Sequence, residues 1–110
     1  MAYDEDLADR IREAVQHEDG ITEKRMFGGL AFLVGGNMAV AASGQGGLMV
    51  RVDPAVSEEL VVSTPAYRMV MRGREMDGWL RVDDADVADD EELGAWVARG
   101  VSYAGSLPAK

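Results

Sequence analysis

The apolar positions of the chain change their period as it runs. Leu7, Ile11, Ala14 and Val15 recur at intervals of four, three and one, the spacing that gathers apolar residues on one face of an α-helix. It predicts a helix over residues 6–16, with acids at its start and arginines further on, as the helix dipole favours, ending near Gly20. From Leu30 the runs become short. "LAFLV" and "MAVAA" are separated by Gly35, Gly36 and Asn37, residue types that supply the positive φ of a tight hairpin turn. Both runs are apolar on both faces, so they are expected to be central strands, covered on each side or in contact with a partner. "SGQGG" (residues 43–47) reads as a second turn and "LMVRV" (residues 48–52) as a third strand.

Asp53 as a cap and Pro54 at the first helical position predict a short helix to about Leu60. Beyond it the pattern suggests extended chain, a turn around residues 73–78 and a strand over residues 79–82. Asp89 and Glu92 then resemble a capping box for a last helix, with Leu93, Trp96, Val97, Val101 and Ala104 as its buried stripe and Pro108 as its stop. The order is α-β-β-β-α-β-β-α without repeat or linker. It predicts one domain over residues 1–110, a two-layer α+β sandwich built on an antiparallel sheet.

Composition narrows the chemistry. The 110 residues include no cysteine, which excludes a disulfide scaffold, a thiolate nucleophile and a zinc ribbon. No apolar run has the length of a membrane span, and the acidic start "MAYDEDLADR" is unlike a targeting peptide. A cytoplasmic protein without membrane contact is expected. The formal net charge of −9 argues against direct nucleic-acid binding. The acids crowd towards the two ends of the chain, and Arg25, Arg51, Arg68, Arg72, Arg74 and Arg81 lie between them.

Catalytic constellations are hard to assemble. His17, the single histidine, is flanked by Glu18 and Asp19 at a helix end and reads as a solvated side chain. The acidic stretch from Asp83 to Glu92 lacks the spacing of a calcium loop and is better explained by helix capping and a solvated face. No metal or cofactor is expected. The glycines fail as a phosphate loop: "FGGLAF" and "GQGGLM" both lead into strands, so no helix N-terminus waits behind them. Gly28 and Gly29 are expected to serve a bulge or a close approach of two backbones, and Gly35 and Gly36 a turn.

The arginines carry more information. Alternation puts Met49 with Arg51 on one strand face and Trp79 with Arg81 on another. In "YRMVMR", Arg68 and Arg72 fall opposite Tyr67, Met69 and Met71. Together with the lead-in Arg25, Met26 and Phe27, these positions form a candidate interaction patch of the residue types favoured at interface centres. The expected partner is a protein, or a second copy joined as a homodimer. The alternative is an enzyme or small-ligand protein acting on an anionic compound held by Arg51, Arg81 and their neighbours, with Glu75 or Asp77 as the acid–base groups.

"MFGGLAFLVGGNMAVAA", "GLMVRVDP", "GREMDGWLRV" and "WVARGVSYAGSLPAK" follow one another along the chain. In this combination the sequence resembles the TfoX N-terminal domain family, named for the TfoX/Sxy regulators of natural competence. The resemblance implies a fold similar to the α/β sandwich of secretion chaperones. It implies a regulatory domain working through protein contacts, and it brings no catalytic residues to carry over. Full-length regulators of this kind add a helical C-terminal domain, and the expectation for this chain is a stand-alone N-terminal domain without it.

Overall fold

The computed structural model describes residues 3–26 and 28–110. Three α-helices and six strands follow in the order α1 (Glu5–Val15), β1 (Ile21–Met26), β2 (Gly29–Val34), β3 (Asn37–Ala42), β4 (Leu48–Arg51), α2 (Ser57–Ser63), β5 (Tyr67–Met71), β6 (Arg74–Val82) and α3 (Asp90–Ser106). The strands form one antiparallel sheet in the order β1-β2-β3-β4-β6-β5. The α+β class, the antiparallel sheet and the helix–strand order agree with the sequence pattern, and one strand, β1, precedes those read there. Its sequence, ITEKRM, offers little apolar alternation because it is an edge strand with four exposed residues at its centre. Two groups hold it: the ladder with β2, and Arg12 of α1, whose Nε and Nη2 donate to Glu23 at 2.7 and 2.9 Å. That pairing holds the Glu23 carboxyl below its usual range.

The second difference concerns the last hairpin. The turn is confined to Arg72 and Gly73, both at positive φ (53° and 76°), the two-residue geometry that follows the twist of the flanking strands. Gly78, placed in a turn by composition, lies inside β6, and its N–H donates to the Oγ of the fully buried Ser57 at 2.7 Å. Strand β6 therefore starts at Arg74 rather than at Trp79.

Cross-strand register sorts the side chains into two layers. Leu30, Ala42, Leu48 and Val82 stand opposite one another in one row, and Phe32, Val40, Val50 and Leu80 in the next. These rows face the helices and form the main core with Leu7, Ile11, Leu93, Trp96 and Val97. Trp96 is the largest buried side chain. Helix α3 comes closest to the sheet at Gly100, where an added Cβ would lie 2.5 Å from the Ala39 carbonyl oxygen. Arg10 ties α1 to the start of α3, donating to Asp90 and to the Val87 carbonyl. All three helices thus serve one face of the sheet.

Two substitutions test this packing. Gly100→Ala should lower the unfolding free energy by about 1–3 kcal/mol, the cost of forcing a methyl group into a filled contact. Ser57→Ala strands the buried Gly78 N–H and should cost about 1–3 kcal/mol. Both are read from denaturant unfolding with unchanged m-values.

Candidate functional site

The alternate residues of the same strands face away from the helices. Lys24, Ala31, Ala41, Met49, Arg81 and Tyr67 stand opposite one another across all six strands. The two alanines make a low floor. Met26, Leu33, Met38, Met69 and Trp79 pack around it as a second, smaller apolar cluster. Small residues at mid-sheet with long ones beside them leave a groove of about 790 Å³. Six of the seven methionines of the chain line it. Methionine is unbranched and polarizable, so such walls can repack around different occupants.

The charges of the groove are of one sign. Lys24, Arg51, Arg72, Arg81 and Lys110 line it, and among the described residues no Asp or Glu does, although the chain holds 20 of them. The ion pairs among the described residues involve Arg10, Arg12, His17 and Arg68, and none of these five cations. Two of the five are fixed in place. Arg81 donates to Gln45 Oε1 at 2.9 Å and to the Gly46 carbonyl at 2.8 Å, which pins the β3–β4 loop to β6. The Arg51 guanidinium lies 5.0 Å from the ring centre of Trp79 and 5.7 Å from that of Tyr103, within cation–π range.

Of the patch suggested by the sequence, Met26, Met49, Arg51, Arg72, Trp79 and Arg81 come together in the groove. Arg68 does not. Register places it opposite Leu80, on the helix side, where it is paired with Glu58 of α2 and with Asp77. A register shift between Arg68 and Met69, followed by the turn at Arg72, separates two arginines that simple alternation assigns to one face. Arg25 stands opposite the core residue Leu30, is exposed, and stays outside the groove. Phe27 lies outside the described residues. Neither Glu75 nor Asp77 lines the groove. Lys24, Met38, Met69, Met71, Met76 and Lys110 are among the additions. The methionine count was the signal in the sequence that could have found Met38, Met69, Met71 and Met76, whereas Lys24 depends on a strand with no apolar signature.

The TfoX N-terminal domain profile matches residues 13–104. The chain belongs to this family. No curated protein matches it.

In this TfoX N-terminal domain the glycine pairs are contact points. A Cβ on Gly29 would lie 2.5 Å from the Ala42 carbonyl oxygen, and one on Gly44 would lie 2.7 Å from the carbonyl of Gly28. Two backbones therefore touch at one end of the groove. Gly35 and Gly36 form the β2–β3 turn at φ 58° and 85°, and the end of the chain packs on them. The Lys110 N–H donates to the Gly35 carbonyl at 2.8 Å, and Asn37 Nδ2 donates to the Pro108 carbonyl at 3.0 Å. The "VGGN" and "SLPAK" segments, 71 residues apart at Asn37 and Pro108, are one contact in space. That contact is what brings Lys110 to the groove.

Tyr67 closes the cross-strand row, donating to Asp83 Oδ1 at 2.7 Å. Asp83 accepts only from the neutral phenol, which pushes the Tyr67 pKa above its ordinary value of 10.0. A raised folded-state pKa contributes stability that is complete below about pH 10 and is lost as pH rises through the folded value. Asp83→Asn should lower the Tyr67 transition in an ultraviolet titration of the tyrosines and flatten the alkaline loss of stability.

Proposed function

We propose that this chain is a non-enzymatic cytoplasmic regulatory domain that acts through protein–protein contacts on the helix-free face of its sheet. The observation that carries this reading is the mismatch between a sheet apolar on both faces and helices that cover one. The other face has a floor covered only by side chains of its own strands, chiefly methionines, with Leu33 and Trp79, ringed by cations that among the described residues have no carboxylate partners. Such a face is completed by a further layer, and Met, Trp and Arg are residue types enriched where protein partners dock. Membership in the TfoX N-terminal domain family supports a role in transcriptional control of the competence type.

Met38→Glu puts a charge on the groove wall. It should weaken binding of a purified, saturable protein partner roughly tenfold or more, whereas Val62→Glu, on the 78% exposed Val62 of α2, should leave binding unchanged. Partner binding indifferent to Met38→Glu would overturn the assignment of the face.

The convergence of Arg51, Arg72 and Arg81 on one cavity supports a second reading, capture of a small anionic ligand. It requires a thermal stabilisation by an anionic metabolite that disappears in Arg51→Gln together with Arg72→Gln.

A further inference from the structure

Resting on the reading of the open face as a protein-docking surface, we propose that its occupant is an acidic amphipathic α-helix of another protein. Its apolar stripe lies over the Ala31–Ala41 floor and its carboxylates meet the flanking cations. Three features lead there. The first is charge. Lys24 on β1, and Arg81 and Arg72 beyond Met49, stand on opposite sides of the floor, on a protein whose net charge of −9 would otherwise repel an acidic segment. None of these three has a carboxylate partner of its own among the described residues.

The second is the backbone. The strands beneath the floor, β2, β3 and β4, are each paired on both sides, so the face offers a guest no free ladder of N–H and C=O groups. A segment lying there has to satisfy its own backbone, which a helix does and an extended strand does not. The third is span. From Lys24 to Arg81 is four inter-strand spacings, about 19 Å, and a helix with its side chains is about 10–12 Å across. A helix fits between the cations with room for carboxylates on both flanks.

Other occupants fit worse. Two copies stacked groove to groove would bring like charges together. A groove receiving the acidic helix face of a second copy is a head-to-tail contact, which builds a ring or a filament and would appear as a concentration-dependent assembly of the protein alone. A nucleic-acid strand would lay its phosphates over methionine, with Trp79 the one aromatic ring in the lining among the described residues.

The test is selection from a display library of random 16-residue peptides (about four helical turns) on the intact protein. Lys24→Glu/Arg72→Glu serves as counter-selection, and binding is then measured through Trp79 fluorescence. Lys24 and Arg72 are exposed and make no side-chain hydrogen bond among the described residues, and the neutral pair Lys24→Gln/Arg72→Gln gives a milder second variant. Enriched peptides should carry net negative charge and apolar residues at helical spacing. They should bind about tenfold or more weakly to the Glu pair, with an intermediate loss for the Gln pair, and more weakly as salt rises. Absence of enrichment overturns the proposal. So do neutral, basic or strand-patterned peptides, affinity unchanged in both variants, or a preference for an oligonucleotide at physiological salt. If a protein partner still depends on Met38 when no such peptide is enriched, the docking face stands and only the acidic helix falls.

Discussion

The contact between α3 and β3 organises this molecule. Gly100 lets the helix backbone approach the Ala39 carbonyl, and Trp96, one turn earlier, is the largest side chain of the core that also holds Phe32 and Val40. With the longest helix seated there, α1 follows through Arg10 and the apolar positions Leu7 and Ile11, and α2 closes the far end through Ser57. Every helix is then committed to one side. The opposite side must manage its apolar residues with the strands alone, which it does by laying methionines over alanines.

That asymmetry also separates charge. Acidic side chains cap α1 and α3, at Asp4 and Asp89, and populate their first turns, where the helix dipole favours them. The helix layer therefore takes most of the negative charge. Arginines of that layer are consumed by it, as Arg12 is by Glu23 and Asp9 and Arg68 is by Glu58 and Asp77. Among the described residues no carboxylate lines the groove beside its five cations, and none of the five is in an ion pair. An acidic protein with one cationic, methionine-lined face is the outcome, and the net charge alone would conceal it.

The rims of that face depend on backbone contacts that tolerate no side chain. Gly29 and Gly44 let the entry to β2 touch the exit from β3. At the opposite end of β2, the Gly35–Gly36 turn receives the chain terminus through Lys110 and Pro108. The two glycine pairs so conspicuous in the sequence thus fix the two ends of one groove.

Much was legible in the residues themselves, because local physics decides it. The 3.6-residue stripes of α1 and α3, the caps at Asp53 and Asp89, the glycine turn before Asn37 and the apolar pairs of β2 and β3 are all short-range statements, and the α+β sheet follows from them. The sequence also placed Met49, Arg51, Trp79 and Arg81 on strand faces by simple alternation. What it left open depends on register and on who stands next to whom. Strand β1 has no pattern of its own and exists because β2 and Arg12 hold it. A register shift and a two-residue turn sent Arg68 to the helices and Arg72 to the groove. The convergence of six methionines and five cations on one face was decided only when six strands from distant parts of the chain aligned, since no local preference records which side the helices will leave bare.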